Sequence, residues 1–415
     1  MTNISLDRRP CSSRYATAET SLKPLGSRAM LNKISAAIGL IAVMGGIAAS
    51  AHAAPIAGAG DKTAAVEQLV RSEMEARGIP GLQLTIVRRN KILFTGAYGQ
   101  ANIEASTPVT ERTTFPVNSI SKAVAGVAAM QLVEAGKLDL DASIETYLDA
   151  LPASWKGITV RQLLTHMSGL PEIADDNLRL LDGAAPDAAW AKVQALPLKS
   201  SPGVKFDYTQ TNYVVIGKII ETITGRSYAD FVRDRQFDAA GMKRTRFAEV
   251  SGAGARPEAA ALYTHLTLRV EGMKTVGVDR SKAPFVRHEP WTEILYPAGG
   301  VQTTSTDLAK WTIALQKRRL VNRDGLERLW KPQPQQDGTY RGFGSTITGY
   351  GLGWPSIRRA DHPAVTPVGG ARAAVFIYPE DDLTIVVLTN LMGASPEKFV
   401  DKIASLYIPG LAVGK

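Results

Sequence analysis

Four β-rich runs stand in pairs at opposite ends of the chain, and that distribution limits the fold more than any other feature. Leu82 to Val87 and Ile92 to Tyr98 are joined by the polar stretch Arg88-Arg-Asn-Lys91 and read as a hairpin. Ala373 to Tyr378 and Leu383 to Leu388 are separated by the turn Pro379-Glu-Asp-Asp382. From about residue 119 to 295 strand signals are sparse, while helical patterns recur at Val160 to Leu164, Asn212 to Thr224 and Tyr228 to Phe237. One sheet made from both chain ends, with a mainly helical domain inserted, is an α/β (α+β) architecture: an antiparallel sheet flanked by helices. The expected partition is a sheet part over about 62–118 and 296–410 and a helical part over about 119–295.

The remaining elements fit that frame. Residues 62–77 have helical spacing and are stopped by Gly78-Ile-Pro80-Gly81. Thr304-Ser-Thr-Asp307 caps a helix over Leu308 to Leu315, and a C-terminal helix is expected after Ser395-Pro396. Val250 to His288, rich in Gly, Ala and charges with weak periodicity, is assigned no regular structure. No internal repeat or low-complexity tract is evident.

At 415 residues, 45% hydrophobic and 21% charged, the chain has ordinary globular composition, which excludes disorder and a membrane bundle. The one long uncharged apolar run, Ile34 to Ala51, follows Arg28 and Lys33 and ends in small residues at Ala51-His-Ala53, the pattern of a secretory signal peptide. Residues 1–53 are therefore read as an N-terminal extension and signal peptide, with Met30 as a conventional start, and 54–415 as the folded domain. The expected location is periplasmic or secreted, with no stable membrane span after cleavage. The single cysteine, Cys11, falls in that prefix, so the exported part needs no disulfide. The prefix carries six basic and two acidic residues, which reduces the formal +9 to +5. A modest excess spread along the chain is a solvated surface and not a nucleic-acid footprint.

The chemistry is placed at Phe115-Pro-Val-Asn-Ser119-Ile-Ser-Lys122, where a turn enters an apolar helix. Positions three apart share a helix face, so the Lys122 amine can reach the Ser119 hydroxyl and serve as its base. Asn118 is read as the N-cap, with Ser119 in a first turn whose free N–H groups favour negative charge. A lysine is a poor base at about 10.4, but burial against Ala123, Val124, Val127 and Ala128 would lower it. A second Ser-x-x-Lys, Ser395-Pro-Glu-Lys398, reads as a helix start: N-cap serine, N1 proline and first-turn acid.

Several other chemistries lack their signals. There is no Gly-x-Gly-x-x-Gly, no phosphate loop, no His-Glu-x-x-His and no Gly-x-Ser-x-Gly. Outside the prefix the histidines are 166, 265, 288 and 362, with no metal-ligand spacing, so no metal and no organic cofactor is expected. A Ser-His-Asp triad drawn from Ser119 or Ser168 with His166 or His362 stays open as an alternative. The segment Ser201 to Tyr213, with Tyr208, Gln210, Asn212 and Tyr213, offers a phenol and a primary amide close together ahead of an apolar helix. A tyrosine here can relay protons and an amide can hold a carbonyl or the lysine; Tyr208 and Tyr213 read equally well as packing residues.

Together these residues resemble the serine β-lactamases of the class C type and their penicillin-binding-protein-like relatives, including D,D-peptidases, D-aminopeptidases and β-lactamase-fold carboxylesterases. The resemblance runs from about residue 65 to 405. It rests on Ser119-x-x-Lys122, Gln131 to Leu140, Ile158 to Pro171, Pro202-Gly203 to Tyr213, Gly241-Met242, Pro297 to Gly300 and Tyr350 to Trp354. It implies Ser119 as nucleophile, Lys122 as base, Tyr208 as proton relay and an acyl-serine intermediate. Gln210 falls where the family usually has asparagine.

The largest departure is in the third family motif, normally Lys or His, then Ser or Thr, then Gly. Here it aligns with Pro367-Val368-Gly369, which carries neither the charge nor the hydroxyl used to hold a substrate carboxylate. The N–H groups of Ser119 and Gly370 are still implied as an oxyanion hole, beside Gly369, and Arg372 or His362 could replace the missing cation. The expected function is an exported serine hydrolase acting on a small ester or amide and leaning to esterase-like activity. A β-lactamase, a D,D-carboxypeptidase or D-aminopeptidase, and a penicillin-binding or sensing module that does not turn over are the alternatives. Oligomeric state is not legible.

Overall fold

The computed structural model describes residues 60–250, 258–344 and 346–413; the leader-like stretch and Cys11 lie outside them. Helix α1 (Gly60–Arg77) is followed by the hairpin β1 (Gly81–Arg88) and β2 (Lys91–Asn102). The apolar helix α2 (Ser121–Glu134) ends at Ala135, with Gly136 at φ 65°, a left-handed stop that suits glycine. Helix α3 (Thr211–Thr224) comes next. A second hairpin, β3 (Tyr263–Glu271) and β4 (Lys274–Val286), precedes helix α4 (Ser305–Gln316), which Thr304 caps by accepting from the Asp307 N–H. Strands β5 (Ala373–Tyr378) and β6 (Leu383–Thr389) and the short helix α5 (Val400–Ser405) close the chain.

β1 pairs antiparallel with both β2 and β6, from Leu82 opposite Thr389 to Arg88 opposite Leu383, so the two chain ends share one sheet. β6 pairs with β5, and the sheet continues through the short pieces at 364–365, 355–357 and 349–350. The two-residue strand Val368–Gly369 pairs separately with the start of β5, Gly369 opposite Ala373.

Every residue of β5 and β6 is buried, because both faces are covered. Alternate residues serve different cores. Val375, Ile377, Val386 and Leu388 join the core that holds α2 and α3. Ala374, Phe376, Ile385 and Val387 join the one formed with α1 and α5. In α2 the residues from Ser121 to Leu132 are all buried, as a helix apolar on every side must be.

Three elements differ from the sequence expectation. The sequence of residues 250–288 shows no pattern of regular structure, yet β3 and β4 form a long hairpin within it, closed by Gly272 at φ 57° between Glu271 and Lys274. Most of β4 is exposed, so it carries no apolar alternation for a periodicity argument to find. The helix expected over Tyr228–Phe237 is regular only to Val232 and then widens into a π-turn over Arg233–Asp238. Ser395 is not a side-chain N-cap; it takes φ 50° and leads a 3-10 turn, Pro396–Lys398, before α5.

Candidate active site

The turn that carries Ser119 is held from two sides. Phe115–Pro116 pairs with Val301–Thr303, Val117 N donates to Val301 O at 3.0 Å, and Val301 N donates to Ser121 Oγ at 3.1 Å. Asn118 to Ile120 form a 3-10 turn, and α2 starts only at Ser121. Asn118 is therefore not the N-cap expected from sequence: its φ is 43° and its side chain caps nothing in the helix. Its amide instead accepts from Arg372 and donates to Glu289 at 3.3 Å.

Lys122 is fully buried and its Nζ lies 3.2 Å from Ser119 Oγ. The same nitrogen donates to Gln210 Oε1 and to Ala298 O, each at 2.7 Å. Burial lowers its pKa to about 7, with the Glu172 carboxylate opposing the shift. A neutral amine has two N–H bonds and one lone pair. Gln210 and Ala298 take the two hydrogens, which leaves the lone pair for Ser119.

Tyr208 donates to Ser119 Oγ at 2.8 Å. Burial raises its pKa, so the phenol stays protonated across the neutral range. The loop carrying it is pinned by Gly203 N to Met167 O at 2.7 Å and Asp207 N to His166 O at 2.8 Å. Two residues on, the backbone N–H of Gln210 donates to both carboxylate oxygens of Glu172, at 3.0 and 3.1 Å. Burial raises the pKa of Glu172, against these hydrogen bonds. Glu172 thus holds the residue that holds Lys122. Glu172 lies one residue beyond Pro171, the end of the segment that carries the family resemblance.

Gly369 lies so close to the nucleophile turn that a Cβ there would stand 1.9 Å from Val117 O and 2.9 Å from Ser119 N. Only glycine allows that approach. Gly370, at φ 58°, lines the same pocket of about 430 Å³ as Ser119, Tyr208, Val368 and Phe343. The structure thus gathers all six residues singled out from sequence: Ser119, Lys122, Tyr208, Gln210, Gly369 and Gly370.

The triad alternative is not what the histidines form. Ser168 donates to Asn212 Oδ1 at 2.5 Å, so Asn212 Nδ2 faces His166 Nδ1 at 3.0 Å as donor, and Thr209 N donates to the same nitrogen at 3.3 Å. His166 Nδ1 is an acceptor here, the ring is buried, and burial keeps it neutral by lowering its pKa well below the usual value. It packs against Tyr208 with ring centroids 4.2 Å apart. His362 sits on Asp381 at 3.0 Å. Neither residue offered as a substitute cation lines the pocket, since Arg372 is buried on Glu289 at 2.7 Å.

A family model described as Beta-lactamase matches residues 66–407. A protein of Bacillus subtilis (strain 168) that carries the name penicillin-binding protein PbpX is 29% identical over 293 residues, which are 71% of this chain and 66% of PbpX. Among solved structures, the octameric penicillin-binding protein homologue from Pyrococcus abyssi superposes with a TM-score of 0.67 at 24% identity, covering 83% of this chain and 76% of that one. The D-amino acid amidase from Ochrobactrum anthropi SV3, complexed with L-phenylalanine, gives a TM-score of 0.66 at 22% identity over 80% and 93% of the two chains. At these identities the two structures speak for the fold.

Proposed function

The chain belongs to the Beta-lactamase family of serine hydrolases, and from that premise we propose that it cleaves a small ester or amide through an acyl group carried on Ser119 Oγ. The observation that carries this reading is the environment of Lys122. It is a buried amine whose pKa is lowered to about 7, whose two hydrogens are committed, and whose third direction meets the serine at 3.2 Å.

In the first step Lys122 takes the Ser119 proton as Oγ attacks the carbonyl carbon. The N–H groups of Ser119 and Gly370 receive the developing oxyanion, where one such donor contributes about 2.7–4 kcal/mol. On collapse the bond to the leaving group breaks, and Tyr208 passes it a proton that Lys122 replaces. Water then attacks the acyl-serine, gives its proton to the same pair, and releases the acid with Ser119 restored. Nothing in these steps calls for a metal or an organic cofactor.

Esters are favoured over β-lactams because Pro367 is buried and Val368 offers only an apolar side chain to the pocket. The carboxylate of a penicillin finds no lysine and no hydroxyl at this motif. We place the enzyme in the periplasm or outside the cell on the sequence pattern of residues 30–53 alone. Among the described residues no helix is long and apolar enough to cross a membrane. The test is turnover of an activated short-chain ester by the wild type and by Ser119→Ala. Hydrolysis by the wild type that Ser119→Ala loses supports the reading, and equal turnover by both overturns it.

A further inference from the structure

Glu172 takes no part in the steps above, yet its surroundings are unusual for an acid. Pro171 O accepts the Thr211 hydroxyl at 2.6 Å, which fixes the residue before Glu172 to the first turn of α3. The carboxylate is then met by donors on neutral groups: Ile173 N at 3.0 Å, Gln210 N at 3.0 and 3.1 Å, and the Thr209 hydroxyl. Among the described residues no lysine or arginine forms an ion pair with it. Lys199, whose charge it feels, is spent on Asp207 at 3.6 Å.

Glu172 keeps part of its surface at solvent, but the carboxylate lies deep enough for burial to raise its pKa. An amide of the same shape would accept the Gln210 N–H without the cost of holding a charge out of water. The charge itself therefore calls for a use beyond holding the loop.

That use lies one contact further on. Gln210, gripped at its N–H by Glu172, turns its Oε1 to Lys122 Nζ at 2.7 Å. The Glu172 charge opposes the desolvation of Lys122 and also acts on Tyr208. The other titratable rings at the amine are neutral, since burial strips His166 of its second proton and keeps the phenolic proton on Tyr213.

We propose that Glu172 is a positioning residue: its carboxylate holds Gln210 on Lys122, and its negative charge sets where the acid limb of catalysis falls. This deepens the acyl-transfer reading above and rests on it. An anion beside an amine favours the ammonium. With the charge removed, Lys122 gives up its proton at a lower pH, and activity extends further into acid.

The test is the pH profile of kcat/KM for an activated short-chain ester in wild type, Glu172→Gln and Glu172→Asp, each checked by melting temperature. Wild type should have its midpoint at about 7. Glu172→Gln should have it about one unit lower, and Glu172→Asp, which keeps the charge, close to wild type whatever its plateau. A role in holding the loop alone would lower the plateau of Glu172→Gln and leave its midpoint in place, which overturns the proposal. An equal shift in Glu172→Asp overturns it too. Urea unfolding reads the same midpoint without turnover. The stability margin of Glu172→Gln, Lys122→Met over Glu172→Gln should level off, on acidification, about one unit below the margin of Lys122→Met over wild type. Levelling at the same pH overturns the proposal even where Glu172→Gln is inactive. Absence of turnover by wild type with every ester overturns the hydrolase reading instead, and the unfolding comparison still decides whether the charge acts on Lys122.

Discussion

Arg372 donates through Nη2 to the side-chain oxygen of Asn118, the residue immediately before Ser119, across 254 positions of sequence. The same guanidinium meets Glu289 at 2.7 Å, and Glu289 also takes the indole N–H of Trp291 at 3.2 Å. Burial works to raise the Glu289 pKa, but Arg372 and Arg287 outweigh it and leave the carboxylate ionised. Asn118 holds a left-handed backbone at φ 43°, a region asparagine enters more readily than most residues. A buried ion pair thus holds the left-handed backbone position immediately before Ser119.

Breaking that pair from one side strips the buried Glu289 carboxylate of its nearest cation and leaves it only Arg287, 3.7 Å away. Arg372→Met is expected to lose about 3–5 kcal/mol of stability, and the double variant Arg372→Met, Glu289→Leu to recover part of it, because Glu289→Leu also takes from Arg287 the carboxylate 3.7 Å away. Urea unfolding of the three proteins measures both. Equal stability of Arg372→Met and wild type would show that the pair contributes nothing.

Lys122 sets the pH dependence. Its pKa in the folded protein is lowered to about 7, so kcat/KM should rise with pH through about 7 and level off above it as the amine becomes neutral. A profile flat from pH 5 to 9 would remove Lys122 as the base. The same shift opposes folding. Below about pH 7 the folded state carries a buried ammonium, whereas above the unfolded value of about 10.4 both states are neutral. Between these limits only the unfolded chain binds the proton, so wild-type stability rises with pH. Lys122→Met should therefore be more stable than wild type, by a margin that is largest below about pH 7 and shrinks toward pH 10.

The apolar third motif should be visible in specificity. Charge-assisted hydrogen bonds contribute about 1.5–3 kcal/mol, so their absence lowers acylation by penicillins roughly ten- to a hundredfold relative to a site that has them. Wild type should prefer a small neutral ester to a penicillin, and Pro367→His with Val368→Thr should narrow the gap. Pro367 O accepts from Val375 N at 2.9 Å, a backbone bond that the substitution leaves available. Faster hydrolysis of penicillin by wild type would end the esterase preference.

Gly369→Ala places a methyl 1.9 Å from the Val117 carbonyl oxygen, and backbone on both sides leaves no flexible group to yield. Turnover is expected to fall at least a hundredfold, since a displacement of about 1 Å near the chemistry has that effect. Kinetics on the purified, folded variant decides it; activity within a few-fold of wild type would mean the edge strand does not support the nucleophile turn.

The sheet and the Ser119, Lys122 and Tyr208 cluster were legible because each leaves a local mark: alternation or an unbroken apolar run in a strand, spacing on a helix, a polar turn before an apolar segment. What joins distant segments left none. Glu172 holds Gln210 across 38 positions, Ala298 receives a Lys122 hydrogen across 176, and Arg372 is buried although arginine is read as a surface residue. The β3–β4 hairpin was missed for the opposite reason: its strands are largely exposed and carry little hydrophobic pattern. The turn at Ser395 has the Ser-Pro-Glu signature of a helix cap, but its backbone takes φ 50° and leads a 3-10 turn without a side-chain cap, which no local pattern marks.

On the mechanism proposed above, Ser119 Oγ carries the acyl group. Intact-mass spectrometry after rapid acid quench of wild type with an activated short-chain ester, followed by peptide mapping, tests it most directly. One acyl increment is expected on the peptide containing Ser119, decaying as product appears and absent in Ser119→Ala. A full acyl increment in Ser119→Ala, or one mapped to a peptide without Ser119, would contradict it.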